Sequence, residues 1–192
     1  ATALALLFFV ATGSGRAAER FVEIDAELQH RRGVAGLGEP TAVAIAPDGR
    51  HVYVASHLTP GGLAVFARDP ASGLLTFVES HEDAPDGPAL RFALSVDVSP
   101  DGRHVYVAAY GRSTISTFAR DDTSGRLTFV GSVPPLTWPY SLYWVWSVRV
   151  SPDGSHVYAA ANRDDQVVVF ARSSLTGELT YLQALREGDP EI

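Results

Sequence analysis

Cysteine and methionine are both absent from the 192 residues. Without cysteine there can be no disulfide, thiolate metal site, cysteine nucleophile or lipobox-type lipid anchor. A closed β architecture needs no such staples, so an oxidising compartment stays open. Without methionine at position 1, the sequence does not begin at an ordinary translation start. Positive charge is the minority sign: 15 Lys and Arg stand against 22 Asp and Glu, for a net charge of −7 and a pI of about 5.3. No basic stripe interrupts that balance, and an acidic chain is repelled by phosphate backbones, so no nucleic-acid partner is expected. The phosphate-cradling Gly loop, nucleophile elbow, zinc spacing and Ca²⁺-loop pattern are missing too, and neither a metal nor a cofactor is expected.

No apolar run is long enough to cross a bilayer. Residues 2–11, TALALLFFVA, make ten apolar or small positions, against roughly 20 for a spanning helix. With the small residues that follow, and Gly15 and Ala17 spaced for signal-peptidase cleavage, residues 1–18 read as a signal peptide without its charged n-region. The expected location is secreted, periplasmic or cell-surface. A buried first strand is the alternative.

What is present in quantity is a repeat. AVAIAPDGRHVYVAS (42–56), SVDVSPDGRHVYVAA (95–109) and SVRVSPDGSHVYAAA (147–161) align without gaps, with Pro47, Pro100 and Pro152 spaced 53 and 52 residues apart. Phe66, Phe118 and Phe170 keep the phase, as do Gly73, Gly125 and Gly177, and then Phe77, Phe129 and Tyr181. A period of this order indicates a propeller or repeat array. Each repeat reads as four strands: V-x-V, a Pro-Asp-Gly hairpin turn, HVYVA, a strand ending in Phe-Ala-Arg, a second turn closing on Gly, and LTFV or LTYL. The expectation is an all-β propeller of four-stranded antiparallel blades at about 41–80, 93–132 and 145–185. A lone strand at 20–25, matching Phe77–Glu79, is expected to belong to another blade. Three blades cannot close a ring that needs ~4–8, which predicts a fragment of a larger propeller or, as the alternative, an open arc or an oligomer that closes the ring between chains.

These motifs (S-P-D-G-x-H-V-Y-V-A, V-F-A-R-D and S-G-x-L-T-F-V) resemble the β-propeller lactonase-like family, also called 6-phosphogluconolactonase-like, and the related YVTN-type surface repeats, over about residues 20–186. The resemblance implies a seven-bladed parent. It also implies, for the family's enzymes, His, Arg and acidic residues around one mouth of the central channel. In several of them a Pro-Arg-His triplet leads into a blade's first strand. The matching connector here is Gly-Pro-Ala-Leu-Arg-Phe (87–92), in which Arg91 carries over and Phe92 stands in place of the His.

Candidate site residues follow from position and chemistry. Glu79, His81 and Arg91, within or beside ESHEDAPDGPALR, could activate water and hold an oxyanion, although Pro, Gly and charge are also ordinary loop composition. Asp97 and Arg149 occupy the position three before the repeat proline, where the first blade has Ala44, on the strand expected to line the channel. They could face a ligand or be satisfied locally. Trp138 and Tyr140 could stack on sugar or pack on a protein, while Trp144 and Trp146 are expected in the inter-blade core. His51, His104 and His156 recur at one repeat position, too far apart to share a metal ion, and read as structural or surface residues. The leading functional expectation is a non-enzymatic scaffold that binds a protein or glycan. The alternatives are a lactonase-like carboxylic-ester hydrolase or isomerase acting on a small sugar-derived lactone, with Arg91 as oxyanion donor and His81 or Glu79 as base, and a structural cell-surface array.

Overall fold

The computed structural model describes residues 36–58, 62–133 and 141–189. The signal-peptide reading of 1–18, the lone strand at 20–25, Trp138 and Tyr140 lie outside the described residues.

The described residues form three four-stranded antiparallel sheets, each in sequential order. The first contains β1 (Pro40–Ile45), β2 (His51–Ser56), β3 (Gly62–Arg68) and β4 (Leu75–Glu82). The second contains β5 (Ala93–Val98), β6 (His104–Ala109), β7 (Thr114–Arg120) and β8 (Leu127–Ser132). The third contains β9 (Val145–Val150), β10 (His156–Ala161), β11 (Gln166–Arg172) and β12 (Leu179–Arg186). Successive sheets meet through their first strands: Thr41 Oγ1 on β1 donates to the Ala93 carbonyl at 2.9 Å, and the Val150 N–H on β9 donates to Asp97 on β5 at 2.9 Å. The first strand of each blade is thus innermost and the fourth outermost, as in a propeller.

Both sides of the second sheet are buried between blades, which is why V-x-V and VYV carry little polar alternation; on the third sheet β10 alternates buried and exposed residues. One core joins the first two blades through Leu63, Val65, Leu90, Val96, Val105 and Phe118. A second joins the last two through Ile115, Leu142, Val145, Val148, Val157 and Phe170. Leu90 and Leu142, equivalent residues of the two connectors, plug the blade before them, beside Ala55 and Leu63 in one case and Ala108 and Ile115 in the other.

The repeated polar residues clasp neighbouring blades. Arg120, at the end of β7, donates to Asp48 (2.5 Å), Tyr53 Oη (2.7 Å) and the Gly102 carbonyl (2.9 Å), and lies 2.9 Å from His51 Nδ1. Arg172 repeats the set one blade on, with Asp101, Tyr106, Gly154 and His104. Burial and the guanidinium beside each ring lower the pKa of His51 and His104. Burial alone would raise Asp101; the Ser99 hydroxyl and Arg172 outweigh it and bring the carboxyl down to about 2. His51 and His104 lie against Gly125 and Gly177, where an added Cβ would overlap the imidazole. The Asp of each Pro-Asp-Gly therefore does more than turn the chain in the first two blades: it is the acceptor for the next blade's arginine.

Candidate functional site at the channel mouth

The residue before each innermost strand has a left-handed backbone. Glu39, Phe92 and Trp144 have φ of 51°, 55° and 56° and occupy one repeat position. Such a conformation costs a non-glycine residue ~1–2 kcal/mol, and strain of this kind concentrates at functional sites. The carbonyl of each is held by the N–H of the residue that follows the second strand: His57 on Glu39, Tyr110 on Phe92 and Asn162 on Trp144. One end of the three blades therefore carries a rim of six side chains whose identities vary while the backbone repeats.

Between the first and second blades the rim is polar. His57 Nδ1 lies 3.4 Å from Glu39 Oε2, and the His57 ring stacks on Phe92 with centroids 4.7 Å apart. The Arg91 guanidinium sits 5.1 Å from the Phe92 centroid. Its backbone is positioned by Asp83, whose Oδ1 accepts the N–H groups of Leu90 (2.9 Å) and Arg91 (3.0 Å) while Arg112 clamps the same carboxylate with two bonds. Burial would raise Asp83; Arg112 and the two N–H groups outweigh it and lower its pKa. The connector also needs Gly111, whose N–H donates to the Arg91 carbonyl at 3.0 Å. A Cβ there would sit 2.6 Å from the Phe92 ring. An imidazole backed by a carboxylate, sharing the Phe92 ring with a guanidinium, has the chemistry to move a proton and stabilise developing negative charge.

Between the second and third blades the rim is aromatic. Trp144 stacks on Tyr110 at 5.5 Å, and Trp146 meets Tyr110 edge-on at 6.2 Å. Arg163 lies 5.1 Å over the Trp144 ring and 5.5 Å over Tyr143. The expectation that Trp144 and Trp146 fill the core is incorrect: they are 39% and 55% exposed. The left-handed backbone at Trp144 and the pairing irregularity that leaves Trp146 unmatched between Val145 and Ser147 turn both rings out of the sheet's alternation.

The other candidates are placed differently. Glu79 and His81 lie on β4, the outermost strand, in the seam between two blades. Glu79 accepts from the Leu127 N–H (2.7 Å), Arg126 (2.7 Å) and the His81 ring (3.0 Å), and His81 packs on Phe118. No hydrogen bond or ion pair joins either to Arg91 among the described residues. Asp97 and Arg149 do meet, at 3.5 Å, but Asp97 also accepts the Val98 and Val150 N–H groups and so ties β5 to β9. His51 and His104 are inter-blade contacts. Sequence reasoning missed His57 and Glu39, which fall in no motif and come together only through the backbone pairing of β1 with β2. Among the described residues no group of three or more His, Asp or Glu side chains is placed to hold a metal ion, and no helix is long and apolar enough to cross a membrane.

A cleft of about 730 Å³ on the third blade is lined by Ala160, Val167 and Leu185, with Trp146, Ser147, Asn162 and Asp165 among its other walls. Ala160 and Val167 are the counterparts of Ala55 with Leu63 and of Ala108 with Ile115. The deep part of this cleft is therefore the seat that a connector leucine fills in the other two blades.

Residues 91–190 match the family described as Lactonase, 7-bladed beta-propeller. A 6-phosphogluconolactonase of Pectobacterium carotovorum is 27% identical over 150 residues, covering 78% of this chain and 43% of the relative. That of Bacillus subtilis is 28% identical over 145 residues, covering 74% and 40%. Among solved structures, a periplasmic gluconolactonase of Pseudomonas aeruginosa superposes with a TM-score of 0.66 at 30% identity, covering 77% of this chain and 39% of that one. The chain thus spans less than half the length of the relatives it matches. These relatives are named as enzymes, which overturns the expectation of a non-enzymatic scaffold. With its repeat and blade topology in agreement with the match, the chain belongs to the lactonase family of seven-bladed β-propellers.

Proposed function

We propose that these three blades supply part of the active site of a hydrolase that opens a sugar-derived lactone. The observation that carries the reading is the Glu39–His57 pair stacked on Phe92, with the Arg91 guanidinium against the same ring. The names of the relatives, lactonases of sugar acids, support the same chemistry. In the reaction, His57 takes a proton from water as the water oxygen adds to the lactone carbonyl. Arg91 faces the oxyanion that forms. Collapse of the tetrahedral adduct breaks the ring C–O bond, and the imidazolium returns its proton to the departing ring oxygen. The product is the open-chain hydroxy acid. Glu39 holds the His57 tautomer and stabilises the imidazolium. Export from the cytoplasm belongs to this reading, supported by the apolar stretch at 2–11 and by the periplasmic neighbour.

The test is saturable hydrolysis of a sugar lactone by the full-length protein. A general base is worth ~10²–10⁴-fold, so His57→Gln is expected to lower kcat by about 100-fold with a small change in KM. An unchanged kcat in a folded His57→Gln protein would remove the proposed base.

A further inference from the structure

The two outer seams between blades differ where the repeat would make them alike. In the first seam Glu79, paired with Val65 across β3 and β4, reaches the second blade. It accepts the Leu127 N–H and the Arg126 guanidinium, each at 2.7 Å. In the second seam the equivalent residues are Gly131, paired with Thr117, and on the third blade Leu179 and Glu178. One side chain is missing and one charge is reversed. A cavity of about 280 Å³ opens there, with Thr117, Gly131, Val133, Glu178 and Leu179 in its walls. That is the small end of ligand sites, which run ~300–1,000 Å³. The second and third blades bound it from both sides, so it is not the product of an uncovered sheet face.

Nothing in the fold demands glycine at 131. Its backbone is not left-handed, and a Cβ built on it meets nothing within 4 Å. Thr117 stands where the other two blades have Val65 and Val169. It is 4% exposed, and its hydroxyl has no hydrogen-bond partner among the described residues and is open to the cavity. A buried hydroxyl without a partner is costly, so a polar occupant of the cavity would be stabilised by it.

We infer that this cavity binds a small primary carboxamide, free or as the side chain of a glutamine, seated as the Glu79 carboxylate is in the first seam. The repeat turns the Leu179 N–H to the place that the Leu127 N–H occupies there. The inner atom of the ligand must therefore accept, and Thr117 offers it a second donor. The outer atom meets Glu178 where the first seam has Arg126. Glu178 Oε2 already takes the Thr176 hydroxyl at 3.2 Å, and a carboxylate can only accept, so the outer atom must donate. An acceptor and a donor on one trigonal carbon describe a carboxamide. A carboxylate would set two like charges together, and an ammonium would leave the N–H unmet. The third blade itself carries an amide, Gln183, at the repeat position of Glu79 and Gly131. The site lies on the outermost strands β8 and β12 and uses no residue of the lactonase reading.

The experiment titrates the full-length protein with propionamide, N-acetylglutamine methylamide and propionate, following the Leu179 amide by NMR. At least one of the two amides is expected to bind saturably, with propionate at least about tenfold weaker for want of a donor to Glu178. Glu178→Arg, which restores the wall of the first seam, should reverse that preference. Gly131→Gln places an amide in the cavity covalently: it should abolish amide binding and raise the melting temperature by about 2 °C. Gly131→Ala, whose methyl group meets open space, should behave as wild type in both measurements. Tighter binding of the glutamine derivative would assign the site to a peptide side chain, and tighter binding of propionamide to a free ligand. No saturable shift with either amide, a preference for propionate in the wild type, or unaltered amide binding in folded Gly131→Gln overturns the inference.

Discussion

Asp83 touches no substrate in this account, yet it governs where Arg91 can reach. Its Oδ1 holds two consecutive N–H groups of the connector, and Arg112 fixes the carboxylate from the other side. Asp83→Asn keeps the shape but replaces the anion, so Arg112 loses its charge partner and the connector loses two charge-assisted bonds, each worth ~1.5–3 kcal/mol where well formed. Solvent at the rim reduces that figure. The expected outcome is a roughly tenfold lower kcat with KM little altered, read by steady-state kinetics. A kcat equal to wild type would show that Arg91 needs no such support. The absence of the family's His at position 92 fits the same local geometry: Phe92 gives the His57 ring a stacking surface at 4.7 Å, so an imidazole is still present at the mouth, contributed by a different strand end.

At the scale of the elements, the repeat explains itself through the clasp. The second-turn glycine is left-handed in all three blades, with φ of 75°, 73° and 77°, but its surroundings differ. Gly125 lies under the His51 ring, whereas Gly73 has nothing within 4 Å. Gly73→Ala is expected to cost only the backbone term, ~1–2 kcal/mol. Gly125→Ala adds a steric conflict with a buried imidazole and is expected to cost about 3 kcal/mol or more. Denaturant unfolding of the two variants checks the difference, and equal losses would mean that the His51 contact is not maintained. Blades, turns and strand order were legible in the sequence because each depends on local chemistry repeated three times: Pro-Asp-Gly corners, β-branched strands and Phe-Ala-Arg ends. The rim was less legible because its function lies where the repeat stops. Arg91 could be found through its connector. His57 and Glu39 are 18 residues apart and meet only across a strand pair. Trp144 and Trp146 were misplaced because alternation along a strand fails at a left-handed residue and a bulge. Glu79 and His81 have suitable chemistry, but the fold spends it in an outer seam.

For the whole molecule, the clasps make cohesion between blades depend on pH. His51 and His104 have folded-state pKa values lowered from 6.5, so the unfolded chain binds their protons more readily. Their contribution is therefore complete above pH 6.5 and is lost as pH falls below it. Asp101, lowered from 3.8 to about 2, contributes in full above pH 3.8 and loses its contribution between there and pH 2. Thermal melts across this range should show stability declining in two stages, the first disappearing in a His51→Gln, His104→Gln double variant. A first stage that persists in that variant would assign the acid sensitivity to other groups. The same seams set the geometry of the mouth, since the stacked pairs His57–Phe92 and Tyr110–Trp144 each span two blades. The central claim is that this mouth opens a sugar lactone with Arg91 at the oxyanion. Its most direct test is a pH-stat assay of D-glucono-1,5-lactone hydrolysis by the full-length protein, wild type beside Arg91→Ala. The account predicts saturable hydrolysis above the spontaneous rate, reduced about 100-fold in kcat by the substitution, as for loss of one oxyanion donor. Hydrolysis at the spontaneous rate by the folded wild type, or full activity in Arg91→Ala, would contradict it.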